Sequence, residues 1–157
     1  PRFLNQLKGG PMDNREQEQN SAPTHFFVRL RTVFHDANPA GIVHSGRHFT
    51  LAHEAYEHWV TTLGLSWDEW FLKSPWVVAV KRVEQTFARP IFAGRDITAR
   101  VAIAKLGTTS FALTIELNDG DELLTTIICT LVFLERKTGR ATAIPSEIRE
   151  RMTSPLA

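Results

Sequence analysis

One stretch with helical periodicity, followed by four stretches typical of strands, constrains the fold of this chain most. Between residues 47 and 63 apolar side chains recur at intervals of three and four residues, which predicts one long amphipathic helix that Gly64 ends. Its apolar positions are Phe49, Ala52, Tyr56, Trp59, Val60 and Leu63. No other long helix is predicted, so strands must supply the rest of the core.

The segments on both sides of this helix have strand character. Residues 25–34 alternate between apolar and polar side chains, which predicts a first strand with one apolar face. A capped turn is predicted at Ser66, and a short terminal helix at 146–152. Four further strands are predicted between Gly and Pro breaks, at residues 76–87, 96–106, 110–118 and 122–135.

This order of elements predicts an α+β domain in which a five-stranded antiparallel sheet wraps around one long helix. We expect the last four strands to form a meander. The strand at 122–135 is apolar over most of its length, which favours a central position in the sheet.

Composition limits the possible partners. The chain has 157 residues, 43% of them hydrophobic, which suits the core of one domain. Its 18 basic and 17 acidic side chains nearly cancel, which argues against a nucleic acid or an anionic membrane as partner. No apolar run reaches the roughly 18 residues of a membrane span. The single cysteine, Cys129, is predicted to be a packed core residue, and its lack of a disulfide partner favours a reducing, cytoplasmic location.

The chain divides into three predicted parts: an N-terminal segment (1–24), one domain (25–145), and a short helix with a tail (146–157). Residues 1–24 are rich in Gln, Asn, Pro and Gly, which predicts a mobile segment or a short docked arm. Because the chain starts at Pro1, we interpret part of this segment as appended or processed sequence, with Met12 as a candidate original start.

The segment between the first strand and the helix carries the strongest functional signal. It reads Phe34-His35-Asp36-Ala37-Asn38-Pro39-Ala40-Gly41-Ile42-Val43, and its Asn-Pro pair and glycine predict a loop that can present side chains to a ligand. An isolated aspartate in such a loop is usually a turn residue that bonds its own backbone. The surrounding pattern changes that interpretation.

This run resembles the aspartate loop of hotdog-fold proteins of the 4-hydroxybenzoyl-CoA thioesterase type, where an aspartate is followed by Asp or Asn two residues on, a glycine and two apolar residues. Residues 87–94 and 137–145 are similar to later landmarks of that family, so the likeness covers most of residues 24–145. The helix segment 53–57 is similar to the branch that acts on 1,4-dihydroxy-2-naphthoyl-CoA. The resemblance implies hydrolysis of an acyl-CoA thioester, without a cofactor.

Asp36 is the predicted catalytic carboxylate. A carboxylate can attack a thioester carbonyl directly or activate water, and a helix start offers free N–H groups for the developing oxyanion. The resemblance implies that the amides near Val43 and His44 are these donors. His44 and the run Arg47-His48-Phe49 stand at positions where relatives commonly carry an aromatic residue, which predicts a more polar or differently shaped pocket.

Several histidines crowd the helix, but their spacing argues against a metal site, since no acidic or cysteine ligand completes a set. We predict instead that some of them line the acyl pocket. The candidate substrate-binding residues are His48, His53, Glu54 and Tyr56. For Glu54 local pairing, and for Tyr56 a place in the core, are alternatives.

The phosphates of CoA call for local positive charge. Basic residues at predicted turns or strand ends are the candidates for this contact: Arg89, Arg136, Lys137 and Arg140.

The resemblance further implies a homo-oligomer, a dimer or a dimer of dimers (a homotetramer), since the fold leaves an edge strand and half a pocket.

Three rival functions stay open. One is a thioesterase serving an acyl carrier protein of a polyketide or fatty-acid pathway, which activity on free CoA thioesters would distinguish. Another is a non-catalytic module that binds acyl-CoA, against which the aspartate in its matching loop counts. A dehydratase of the same fold ranks third, because His35 is expected to face away from Asp36.

Overall fold

A computed structural model describes residues 25–154, and in it one five-stranded antiparallel sheet curves around one long helix. The predicted α+β architecture is confirmed. Within these residues, no helix is long and apolar enough to cross a membrane. The predictions for residues 1–24 and for the end of the tail, residues 155–157, lie outside the described residues.

The elements follow each other in the predicted order. They are β1 (Phe26–Arg31), a 3₁₀ turn (Phe34–Asp36), α1 (Ser45–Thr62), a short π-helical segment (Glu69–Lys73), β2 (Trp76–Phe87), β3 (Asp96–Leu106), β4 (Ser110–Asp119), β5 (Glu122–Glu135) and α2 (Ser146–Thr153). The helix α1 begins at Ser45, earlier than predicted. The predicted cap is confirmed, since Ser66 Oγ accepts the Glu69 N–H at 3.2 Å and Glu69 Oε2 accepts the Ser66 N–H at 2.7 Å.

The strand order is β1-β3-β4-β5-β2, so the predicted four-strand meander is wrong for β2. β1 pairs along residues 96–101 and thereby occupies the edge of β3 that a meander would give to β2. The Arg89-Pro90 break lies in the link between β2 and β3, which crosses the end of the sheet instead of turning tightly. β2 pairs with β5, which is therefore an interior strand as predicted, although β4 is the middle one.

The core lies between α1 and the concave face of the sheet. Trp59 of α1 packs with its ring centroid 6.0 Å from that of Phe111 on β4. Every second residue of β4 is buried, namely Phe111, Leu113, Ile115 and Leu117. Burial of each such side chain stabilises the fold by about 1.5–3 kcal/mol. Cys129 is buried as predicted, and burial raises the pKa of its thiol to about 11.

Candidate active site

The loop between β1 and α1 is fixed to the link between β2 and β3. Thr32, which is fully buried, donates its hydroxyl to the Phe92 carbonyl at 2.7 Å and accepts the Arg95 N–H at 3.0 Å. Gly41 turns the loop with φ +78°, in the left-handed region that favours glycine. Ile42 then bridges to Phe92. These contacts set where the loop residues lie relative to the start of α1.

Asp36 is held inside this loop, with only 3% of its side chain exposed. Its Oδ2 accepts the Val33 N–H at 3.1 Å. Its Oδ1 lies 3.0 Å from Arg47 Nε and 3.3 Å from His35 Nε2. The Arg47 N–H is not aligned with an acceptor, so this contact is an ion pair rather than a well-directed hydrogen bond.

The charge of Asp36 is stabilised by these neighbours. Burial alone would raise the pKa of this carboxyl, but the Val33 N–H and the charges of Arg47 and His35 outweigh burial and lower the pKa below its ordinary value. Asp36 is therefore ionised at neutral pH. Both of its oxygens already have partners in the folded chain.

A groove of about 490 Å³ lies at the N-terminal end of α1, and we call it the α1 groove. It is lined by Asn38, Ile42, Val43, His44, Ser45, His48, Phe87, Ala88, Arg89 and Pro90. Four residues of the predicted site, Val43, His44, His48 and Arg89, thus come together. Asp36 is not among the lining residues.

The Val43 and His44 amides, near which the oxyanion donors were predicted, already have acceptors in the folded chain. The Val43 N–H donates to the Ile91 carbonyl and the His44 N–H to the Asp36 carbonyl, each at 2.8 Å. The first two residues of α1, Ser45 and Gly46, have amides without an acceptor within residues 25–154, and the His44 side chain does not cap them. Free N–H groups and the helix dipole favour an anion at this point.

Asn38 is a groove residue that sequence reasoning treated only as part of a turn. Its Oδ1 accepts the N–H groups of Ala40 at 2.9 Å and Ile42 at 3.1 Å. These bonds fix the side-chain amide and leave Nδ2 without an acceptor in the described part of the chain. The family pattern could have identified Asn38 as a site residue, because the residue two positions after the aspartate is Asp or Asn in that pattern.

His48 forms the inner wall of the groove and is only 3% exposed. Its Nδ1 lies 2.8 Å from Thr125 Oγ1 on β5, and its ring meets Phe87 edge-on with the centroids 5.2 Å apart. Burial lowers the pKa of His48, so the imidazole is neutral at pH 7.

The other predicted substrate contacts do not reach the α1 groove. His53 and Tyr56 border a separate cavity of about 10 Å³, room for about one water. The Tyr56 hydroxyl accepts the Trp70 Nε1–H at 2.6 Å, and burial raises its pKa, so the alternative of a core residue fits Tyr56. Glu54 pairs locally, with Oε1 2.6 Å from Arg47 Nη1.

The predicted CoA-binding cations are separated within one chain. Arg89 lines the groove and pairs with Glu122 at 2.6 Å, at the start of β5. Lys137 and Arg140 follow the opposite end of β5, about 40 Å away at roughly 3.3 Å per residue. Arg136 donates to the carbonyls of Phe71, Ser74 and Trp76, which makes it a structural residue.

Comparison with known proteins agrees with this architecture. The family model described as thioesterase-like superfamily matches residues 32–152. A 1,4-dihydroxy-2-naphthoyl-CoA hydrolase of Thermosynechococcus vestitus is 31% identical over 102 residues, 64% of this chain and 70% of that protein.

Solved structures share the fold. A 1,4-dihydroxy-2-naphthoyl-CoA thioesterase from Synechocystis matches with a TM-score of 0.75 at 18% identity, covering 82% of this chain and 95% of that one. A gentisyl-coenzyme A thioesterase matches with a TM-score of 0.74 at 21% identity, covering 82% of this chain and all of that one. These likenesses confirm the predicted hotdog fold.

Proposed function

The chain belongs to the thioesterase-like superfamily, and from that membership we propose that it hydrolyses an acyl-CoA thioester in the α1 groove. The observation that carries this proposal is the pair of free amides at the start of α1, Ser45 and Gly46, beside a groove of about 490 Å³. That volume lies within the range of small-molecule sites. Donors fixed before the reaction stabilise the charge that develops on a thioester oxygen.

The attacking oxygen in this proposal is that of a water molecule. The ionisable side chains that line the groove in the described chain are His44, His48 and Arg89. His48 is buried and already bonded to Thr125, whereas His44 is exposed. His44 therefore accepts the water proton while the water oxygen bonds to the carbonyl carbon, and the Nδ2 group of Asn38 positions that water.

Collapse of the tetrahedral intermediate breaks the C–S bond. The departing thiolate takes the proton from His44, so that the products are a carboxylic acid and the CoA thiol. The oxyanion meanwhile accepts hydrogen bonds from the amides of Ser45 and Gly46.

Asp36 positions the loop in this proposal, because its side chain is 3% exposed and both oxygens are engaged. Its sequence-predicted role as nucleophile or general base is the rival assignment. The two roles predict different losses of kcat in Asp36→Asn: a small loss for a positioning residue and a large one for a nucleophile or general base.

We propose an aromatic acyl group as substrate, such as 1,4-dihydroxy-2-naphthoyl or 4-hydroxybenzoyl. The names of the relatives support this choice, as do the rings of Phe87, His48 and Pro90 in the groove lining. Arg89 is the candidate for a CoA phosphate.

Thiol release from a panel of CoA thioesters tests the proposal. We expect kcat/KM for 1,4-dihydroxy-2-naphthoyl-CoA or 4-hydroxybenzoyl-CoA to exceed that for palmitoyl-CoA by tenfold or more. The same acyl groups on an acyl carrier protein serve as the comparison. Turnover of the carrier-bound groups alone would favour the carrier-protein thioesterase, and binding without any turnover would favour a non-catalytic module.

We also propose that the protein forms a homo-oligomer, a dimer or a dimer of dimers, in the cytoplasm. The outer edge of β2 has no strand beside it in the described chain, and Val80 and Val83 on this strand are 42% and 38% exposed. Edge strands of this kind pair with another copy. The lone, buried Cys129 suits a reducing compartment.

A further inference from the structure

Arg47 lies between two carboxylates at the start of α1. Its Nη1 is 2.6 Å from Glu54 Oε1, and its Nε is 3.0 Å from Asp36 Oδ1. The exposed fractions of the three side chains are 22% for Arg47, 3% for Asp36 and 42% for Glu54. One arginine therefore joins the 3₁₀ turn of the loop to the third turn of the helix.

The position of Arg47 in the chain connects these ion pairs to the free amides. Arg47 directly follows Ser45 and Gly46, and its own N–H donates to the His44 carbonyl at 2.9 Å. The His44 N–H in turn donates to the Asp36 carbonyl. The backbone that carries the two free amides is thus tied to Asp36 on one side by a hydrogen bond and on the other by the Arg47 side chain.

We propose that Arg47 is a positioning residue that fixes the Ser45 and Gly46 amides relative to the α1 groove through its contacts with Asp36 and Glu54. This inference rests on the proposed function, in which those amides stabilise the oxyanion. A misplacement of about 1 Å in a catalytic group lowers turnover by about 10²-fold. The contacts of Arg47 restrain that displacement.

The charge of Arg47 does not stabilise helix α1. A cation in the first turn opposes the helix dipole, which favours anions there. The carboxylates of Asp36 and Glu54 compensate for this cost: the hydrogen bond to Glu54 and the ion pair with Asp36 raise the pKa of Arg47 despite its partial burial. The position of Arg47 therefore stabilises the loop next to α1 and does not stabilise the N-terminal end of α1.

Steady-state kinetics of Arg47→Met and Arg47→Lys in the full chain test the inference. We expect Arg47→Met to lower kcat about 10²-fold with KM changed less than twofold, because the amides act on the transition state. Arg47→Lys should recover part of kcat, since an ammonium reaches one carboxylate at a time. The matched control is Arg100→Met, which breaks the Arg100–Glu116 pair between β3 and β4, away from the α1 groove.

Amide NMR separates this inference from the proposed function. The cross-peaks of Ser45 and Gly46 should shift in Arg47→Met, shift less in Arg47→Lys, and stay in place in Arg100→Met. Unchanged cross-peaks, or a kcat in Arg47→Met within twofold of the Arg100→Met control, would overturn the role of Arg47. A wild-type chain that releases no thiol from any CoA thioester would refute the proposed function instead, while the cross-peaks would still decide the positioning role.

Discussion

Two polar side chains in one short loop, Asp36 and Asn38, occupy opposite environments. Asp36 is buried, ionised and paired with Arg47, whereas Asn38 lines the α1 groove with an amide fixed by two backbone N–H groups. At the scale of single residues, the charged Asp36 carboxylate is buried inside the loop, whereas the neutral Asn38 amide lies at the groove surface. In the proposed function, Asp36 therefore serves the structure of the loop, and Asn38 contacts the ligand.

Asp36→Asn tests this division of roles. The amide oxygen can still accept the Val33 N–H, but the charge opposite Arg47 is lost, so we expect kcat to fall about tenfold and the free energy of unfolding to fall by about 1–3 kcal/mol. Thiol release and urea unfolding measure the two effects. A loss in kcat of about 10³-fold or more with unchanged stability would make Asp36 the nucleophile or the general base.

At the scale of elements, α1 is attached to the sheet by apolar packing along its length and by one buried polar contact near its start. His48 meets Thr125 on β5, a residue with no exposed surface. Because His48 follows Ser45 by three residues, this contact fixes the helix turn that carries the free amides. Neutral imidazole is the form that burial favours here.

The stability of this element should depend on pH in a defined direction. The folded pKa of His48 lies below its unfolded value near 6.5, so the unfolded chain binds the proton more readily and stability rises with pH across that window. We expect the melting temperature to fall between pH 7 and pH 5. His48→Asn, which can still bond Thr125 but does not titrate, should flatten this fall.

The control for that measurement is His58→Asn, at an exposed position of the same helix. It should keep the pH dependence of the wild type. If the melting temperatures of His48→Asn and the wild type fall equally between pH 7 and pH 5, His48 is not the source of the pH dependence.

At the scale of the whole molecule, β1 and β2 form the two edges of the sheet. The outer edge of β2 carries the half-exposed Val80 and Val83, and the α1 groove opens near the end of this strand at Phe87. A partner copy bound at this edge would therefore lie next to the groove.

Charges placed on β2 should prevent that assembly. We expect the wild type to sediment as a dimer or tetramer, and the double variant Val80→Lys, Val83→Lys to sediment as a lighter species, because like charges oppose edge pairing. Phe27→Lys on the other edge, where Phe27 is 58% exposed, is the control. A monomeric wild type, or a double variant with unchanged mass, would contradict the proposed interface.

The sequence predicted local structure well and long-range structure less well. The bounds of β2 to β5 and the Ser66 cap follow from the period and chemistry of neighbouring residues, and they were confirmed to within one residue. β1 ends at Arg31, before the predicted residue 34, because the chain there turns into the 3₁₀ segment Phe34–Asp36. The position of β2 depends on pairing with β5, far along the chain, which periodicity does not encode. Periodicity likewise does not show that the Val43 N–H donates to the carbonyl of Ile91, a residue in the distant link between β2 and β3. The loop that holds Asp36 and Asn38 has no regular alternation of apolar and polar residues, so the sequence does not indicate which of the two side chains faces the groove.

Deletion of one backbone donor tests the central claim, that the start of α1 stabilises the oxyanion of a thioester. Ser45 is the first residue of α1, where proline is well tolerated, and His44 has φ −61° and ψ 141°, which suit a residue before proline. Ser45→Pro therefore removes the free N–H while keeping the helix, and Ser45→Ala keeps both.

The measurement is kcat for CoA thiol release by Ser45→Pro and Ser45→Ala, with melting temperatures to confirm that both are folded. We predict that kcat falls by about 10²–10³-fold in Ser45→Pro and stays near the wild-type value in Ser45→Ala. Equal kcat values in the two folded variants would contradict the account.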